Sequence, residues 1–139
     1  MSAEPVSESI ANLNILKLSV IDSTNLFAKE HFSELMDRTA VVADSQTAGR
    51  GRAGRSWCSP QGNLFLTLVL KPAIPFTKKS AHLAMTHYAG VILCLLLEKM
   101  GLKPEIKWPN DVQVERKKIA GILAESVPMP MGRLGIVLG

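Results

Sequence analysis

Between Asp44 and Glu98 the chain has no acidic residue, although 12 Asp and Glu occur in its 139 positions. The interval carries Arg50, Arg52, Arg55, Lys71, Lys78 and Lys79, a local charge of +6; with a net charge of +4, the rest of the chain sums to −2. This distribution excludes a uniformly basic coat and points to an anionic partner met at one place. Cysteine is as scarce: Cys58 and Cys94 are the only two. Two cysteines exclude a disulfide framework and fit a reducing compartment. The longest apolar run, "YAGVILCLLL", has ten residues, short of a bilayer span. The start, "MSAEPVSESI", lacks the basic-then-apolar pattern of a secretory signal. The expectation is a cytoplasmic protein with no membrane partner.

Catalytic signatures are missing as well. His31, His82 and His87 are scattered, and no CxxC or HExxH spacing occurs, which argues against structural zinc. The chain has no GxxxxGK[ST] loop, no GxGxxG opening a helix and no GxSxG elbow. There is no internal repeat, linker or low-complexity tract.

What is present is an ordinary globular composition, 47% apolar and 20% charged, in a length that suits one domain. The first fourteen residues read as a flexible stretch and 15–139 as the domain. "ILKLSVI" (15–21) alternates as a strand, with Leu16, Leu18 and Val20 on one side. "DSTN" (22–25) offers caps for an amphipathic helix over "LFAKEHFSELM" (26–36). "AVVAD" (40–44) reads as a short strand. "LFLTLVLK" (64–71) is apolar enough for a strand buried on both faces, ended by Pro72 and Pro75. Lys78 to Met100 reads as a long helix closed by Gly101. Short strands follow at "EIKW", "VQVE", "KIAGILAE" and "RLGIVL", with "VQVERKKIAGILAE" forming a hairpin on a basic turn. Strands and helices do not alternate regularly, so the class is α+β.

Three segments can carry chemistry. "GRGRAGRSW" (49–57) holds three glycines and three of the chain's six arginines. Glycine lets backbone N–H groups approach a polyanion, and guanidinium forks bind phosphate or carboxylate oxygens in pairs. Like charges so close predict a mobile segment that orders on an anion. The alternative is a nucleic-acid tether of the RGG kind, but a strand before the loop and a Pro60–Asn63 turn after it anchor it at both ends. The second segment is "KWPNDV" (107–112), where a turn presents Asn110 and Asp111; a surface ion pair with Lys107 is the plain reading, and a share in Mg²⁺ held with substrate phosphates is the other. The third is "KKIAGILAE" (117–125), where Lys118 opens a strand and Gly121 allows close approach of another chain or ligand.

In order and spacing these segments resemble the biotin–protein ligases, whose pattern GRGRxGRxWxSPxGN, KWPND and K-[LI]-[AG]-G-I-L is matched by Gly49–Asn63, Lys107–Asp111 and Lys118–Leu123. "DSTN" matches the family's entry to its site, and the related lipoate ligases carry an RRxxGG loop that this chain lacks. The resemblance runs from Ile15 to the last residue. It implies a mixed, largely antiparallel sheet packed by helices, of the class II synthetase and biotin ligase kind. It also implies ATP-dependent formation of biotinyl-5′-adenylate with Mg²⁺, then biotin transfer to a lysine of a carboxyl-carrier domain. By that resemblance Ser23, Thr24, Gln46, Gly49, Arg50, Gly51, Trp57 and Gly121 hold biotin. Arg50, Arg52, Arg55, Trp57, Asn110, Asp111 and Lys118 meet the nucleotide, with Lys118 and Arg52 at the reacting groups and Asp111 near the metal. The family's strand continues past the position of Gly139 into a G-x-N segment, helices and a β-barrel. Its repressor members add an N-terminal helix-turn-helix for which fourteen residues leave no room, so DNA binding is not expected; a homodimer is allowed. A non-enzymatic biotin or nucleotide binder, or a basic nucleic-acid binder using the arginine loop, remains the alternative.

Overall fold

The computed structural model describes residues 6–10, 12–73 and 80–139. The expected helix start at Lys78, and Pro75, lie outside them.

Nine strands and two helices make two sheets. The larger has six strands in the order β1-β2-β3-β4-β9-β8: β1 Val6–Ile10, β2 Leu13–Ile21, β3 Thr39–Gln46, β4 Phe65–Leu70, β8 Ala124–Pro128 and β9 Leu134–Leu138. The smaller is β5 Pro104–Lys107, β6 Asp111–Val114 and β7 Lys117–Gly121. Only β2 and β3 run parallel; the other pairings are antiparallel. The α+β reading with a mixed, largely antiparallel sheet is what the chain adopts.

The parallel pair needs a crossover, and α1 (Thr24–Glu30) supplies it. Ser23 caps α1, its hydroxyl oxygen accepting the Leu26 N–H at 3.4 Å. The helix is shorter than the periodicity over 26–36 predicts. It stops at His31, whose N–H bonds back to Phe27, and the chain continues as turns through Leu35. Ala28 and Phe32 from this segment pack on Val41, Val69 and Val137 of β3, β4 and β9, with Leu16, Leu18, Phe27 and Leu35 around them. That cluster is the main core.

Two other expectations change. Residues 6–10, read as flexible, pair antiparallel with β2 from Val6↔Lys17 to Ile10↔Leu13. And β4, expected to be buried on both faces, alternates: Phe65, Thr67 and Val69 are buried while Leu66 is 39% exposed. The doubly buried strand is β9, where neighbours Ile136 and Val137 are both fully covered.

The long helix α2 spans Ala81–Lys99 and ends as its glycine predicts. Gly101 has φ +83°, its N–H bonds to Glu98 O and the Leu102 N–H to Leu97 O, closing the helix with a left-handed residue. Thr86 and Gly90 are its buried residues, and it lies against β5, β6, β8 and β9. Tyr88, Leu95 and Leu96 remain about half exposed or more. With 19 residues and a mean hydropathy of 1.4, α2 is long and apolar enough to cross a membrane by length and composition, a property the ten-residue run conceals. A helix packed on a core passes the same test, and α2 touches both sheets.

"KIAGILAE" does not form one strand. It divides into β7 in the small sheet and β8 in the large one, with Ile122 and Leu123 as the crossing. The predicted hairpin of β6 and β7 is present, turning on Glu115 (φ 50°) and Arg116 (φ 62°), both left-handed as a two-residue hairpin turn requires.

Candidate functional site

A cleft of about 930 Å³ opens between the edge of the large sheet, the small sheet and the glycine–arginine loop. Ser23, Thr24, Gln46, Arg50, Gly51, Arg52, Arg55, Trp57, Asn110, Asp111, Lys118 and Gly121 all line it. Of the residues singled out by sequence, only Gly49 does not; it is buried behind the wall.

The deep end is polar and closed. Gln46 comes from the end of β3, and its Oε1 accepts from Thr24 N–H (2.8 Å) and the Thr24 hydroxyl (3.1 Å). Its Nε2 donates to Ser59 Oγ (2.9 Å), and the Ser59 hydroxyl donates to Trp57 O (3.0 Å). This ties the root of the arginine loop to the N-terminus of α1. A Cβ on Gly49 would stand 2.3 Å from Ser59 Oγ and 2.5 Å from Trp57 O, so the glycine is required by close packing of the loop root. Ser23, 2% exposed, spends an oxygen lone pair on capping α1, and no acceptor for its hydroxyl proton is found among the described residues. Ser23 thus offers a donor beside Thr24.

Sequence reasoning missed two members of this array. Thr67 of β4 is fully buried, with its hydroxyl oxygen 2.9 Å from Thr24 Oγ1 and 2.6 Å from Asn25 Oδ1. Asn25, assigned only a capping role by sequence, donates through Nδ2 to Leu123 O (3.0 Å) and Glu125 Oε2 (3.3 Å). Glu125 is held in turn by Lys29 at 2.8 Å. The signal for Thr67 was available: it is the one polar side chain in "LFLTLVL".

The mouth is cationic and open. Arg50, Arg52 and Arg55 are exposed. The loop that carries them is folded upon itself, with Trp57 N–H bonded to Gly49 O (2.8 Å), Gly51 N–H to Arg55 O (2.7 Å) and a 3-10 turn at Arg52–Gly54. Those bonds, and its place in the cleft wall, do not suit a free tether. Arg52 reaches across to Asn110 Oδ1 at 3.4 Å. Asn110 is pinned by its own Nδ2 to Ile122 O (3.1 Å) and by Ile122 N–H to its carbonyl (2.8 Å), after a cis Trp108–Pro109 bond.

Lys118 stands between the two ends. Its Nζ is 2.8 Å from Asp111 Oδ1 and 4.5 Å from the centre of the Trp57 ring. The approach to Asp111 is that of an ion pair without hydrogen-bond alignment, so buried Oδ1 has no aligned donor. A register shift makes the pairing: along β6, Val112 faces Ala120 but Gln113 faces Lys118, skipping Ile119. The extra residue turns Lys118 onto the face that carries Asp111 and Gly121. The space above Gly121 is taken by Trp57, whose ring atoms would lie 2.7 and 2.8 Å from a Cβ there. What Gly121 admits in this structure is therefore the indole. The surface pair of Asp111 with Lys107 is replaced by this inner pair with Lys118.

No group of three or more His, Cys, Asp or Glu able to hold a metal occurs among the described residues. A single buried carboxylate oxygen lacking an aligned donor suits an ion brought in with phosphates, which supply most of its ligands. Elsewhere, burial and then the neighbouring Glu98 push the Cys94 thiol above its ordinary value.

Fold and cleft together define a small-molecule site of one class: neutral hydrogen-bonding groups at the closed end, fixed cations at the open end, on an α+β scaffold. Residues 18–138 match the model of the biotin/lipoate A/B protein ligase family, and the chain belongs to that family. Relatives include the bifunctional ligase/repressor BirA of Salmonella typhimurium, 35% identical over all of this chain and 43% of its own length. The biotin–[acetyl-CoA-carboxylase] ligase of Paracoccus denitrificans is 38% identical over 88% of this chain and 51% of its own length. Among solved structures, Aquifex aeolicus biotin protein ligase in complex with biotin and ATP superposes with a TM-score of 0.69 at 31% identity, over 89% of this chain and 50% of that one. The Leishmania major enzyme in complex with biotinyl-5-AMP gives 0.62 at 28% identity, over 90% of this chain and 56% of that one. The chain spans about half the length of these relatives.

Proposed function

We propose that this chain carries the biotin-activating site of a biotin–protein ligase, in the cytoplasm. The observation that carries the reading is the placement of Lys118 between a closed hydrogen-bonding pocket and an arginine-lined mouth. Biotin's ureido group matches the closed end: its carbonyl takes the Ser23 hydroxyl proton, and a ureido N–H reaches Thr24 or the Gln46 region. Trp57 and the Gly49–Gly51 backbone flank the bicyclic ring. The carboxylate then lies toward Lys118, and ATP phosphates lie among Arg50, Arg52 and Arg55 with Asn110 beside the nucleotide.

One oxygen of the biotin carboxylate bonds to the α-phosphorus of ATP as the bond to pyrophosphate breaks, giving biotinyl-5′-adenylate. Two anions must meet, and Lys118 with Arg52 offsets their repulsion and the charge that builds in the transition state. Asp111 fits an Mg²⁺ carried by the phosphates, which neutralises charge on the leaving pyrophosphate; it would release Lys118 to the reacting groups as it takes the ion. An unprotonated lysine amine of a carboxyl-carrier domain then attacks the acyl carbon, an amide forms, and AMP leaves. No covalent protein intermediate is needed, nor any nucleic acid or membrane.

The test uses the chain with ATP, Mg²⁺, biotin and a carboxyl-carrier acceptor, reading pyrophosphate release and acceptor biotinylation separately. Pyrophosphate release that depends on biotin supports the reading. Biotin binding with neither product would reduce the chain to a binding module. Retention of DNA or RNA that falls steeply with salt, in place of biotin binding, would favour the nucleic-acid alternative.

A further inference from the structure

We propose that Asn25 is a positioning residue that sets the direction of the hydroxyl hydrogen bonds at the closed end, so that Thr24 meets the ligand as an acceptor; this rests on the biotin reading above. The argument is a count of protons. Asn25 Nδ2 faces two acceptors, Leu123 O and Glu125 Oε2, so the amide oxygen must be the atom turned to Thr67. A carbonyl oxygen only accepts. Thr67 therefore gives its single proton to Asn25 Oδ1, at 2.6 Å, and has none for Thr24, 2.9 Å away. Thr24 must then be the donor in its own contacts, toward Thr67 at 2.9 Å or Gln46 Oε1 at 3.1 Å. No proton from the described protein groups reaches Thr24 Oγ1, so its remaining lone pair is kept for a donor arriving in the cleft. A ureido N–H is such a donor.

Removing Asn25 reverses this order. Leu123 O keeps the Gly139 N–H at 2.9 Å and Glu125 keeps Lys29 at 2.8 Å, so neither acceptor is orphaned. The Thr67 hydroxyl, buried and without Asn25, has Thr24 Oγ1 as its partner. Thr67 becomes a donor to Thr24 and competes with the ligand. Deleting the Thr67 hydroxyl in that background removes the competitor. A purely structural role for Asn25 predicts the opposite, that a second buried change makes matters worse.

The experiment is biotin binding by calorimetry to the wild-type chain, Asn25→Leu, Thr67→Val and the double variant, with folding checked by urea melts. Asn25→Leu is expected to raise the biotin Kd about five- to tenfold, the size of one hydrogen bond. Thr67→Val should stay within about threefold of wild type, and the double variant should recover most of the loss. Ureido-N-methylated biotins, which lack one or the other N–H, should include one whose binding is indifferent to Asn25→Leu. A double variant that binds no better than Asn25→Leu overturns the proposal while leaving the ligase reading standing. A folded wild-type chain that does not bind biotin at all removes that reading and this proposal with it. Should Asn25→Leu fail to fold, Asn25→Ala gives the same expected order.

Discussion

The two ends of the cleft are built on opposite physical rules. At the closed end, Ser23, Thr24, Asn25 and Thr67 are 4% exposed or less and are bonded to one another, to Gln46 or to backbone. At the mouth, Arg50, Arg52 and Arg55 are exposed, and the closest side-chain partner of Arg52 is Asn110 at 3.4 Å. Buried polar groups must be satisfied, so the closed end recognises by fixed geometry and pays for each unpaired group. Exposed cations keep their hydration until an anion comes, so the mouth recognises by charge and tolerates looser positions. A ligand with one neutral polar end and one anionic end is read by both rules at once.

The sharpest way to break this division is at Lys118, where the two ends meet. Lys118→Ala should lower the rate of biotin-dependent pyrophosphate release by about 10²–10³-fold, the usual effect of deleting one group that stabilises transition-state charge, with the biotin Kd little changed. Undiminished release in a folded variant would take Lys118 out of the reaction. Next in size is Gly49→Ala. Its Cβ would collide with Ser59 Oγ and with the backbone oxygen of Trp57, so about 1–3 kcal/mol of stability should be lost in urea titration, with weaker biotin binding. Gly54→Ala, whose Cβ meets nothing within 4 Å but whose φ is +73°, should disturb the loop by backbone strain alone and spare the closed end.

Arg52→Ala tests the mouth by itself. It should weaken an adenylate-bearing ligand by about fivefold at low salt, in line with an exposed charge contact, and leave biotin unaffected. Raising salt on the wild-type chain should mimic it for the adenylate only. If biotin and adenylate responded alike, the separation of the two ends would be wrong. The smallest effect is expected at the cysteines. Cys58 is exposed and lines the cleft, while the thiol of Cys94 is held above its ordinary value by burial and Glu98. An alkylating reagent should modify Cys58 first, and a bound adenylate should slow it about twofold or more; mass spectrometry of the two peptides reads both.

Much of this was legible in one dimension because the determinants are local. Ser23 caps α1 since a hydroxyl before an apolar run does so without help from afar, and Gly101 closes α2 because only its backbone takes a left-handed turn cheaply. The strands of 15–21, 40–44 and 64–71 were readable from alternation and β-branched content to within a few residues. Errors arose where distant contacts decide. The apolar count in "LFLTLVLK" suggested two covered faces, yet one face of β4 looks into the cleft and leaves Leu66 exposed. The run "KIAGILAE" carries no turn residue at 122–123, but Ile122 and Leu123 bond to Asn110 and Gly139 and so pass the chain from one sheet to the other.

The sequence by itself determined the supply of chemistry: a localised positive field, a loop rich in glycine and arginine, a lysine and a carboxylate seven residues apart, and a family pattern joining them. Tertiary structure decided how those groups face one another. In a regular hairpin with no register shift, Lys118 would point away from Asp111. The skipped Ile119 turns it onto the same face. Likewise nothing in the order of residues says that Asn25, Thr67 and Leu123 meet, because their contacts span 42 and 98 positions of chain and form only when α1, β4 and β8 are stacked. A side chain's type is local information. Which neighbour shares its proton is set by the packing of segments that the sequence keeps far apart.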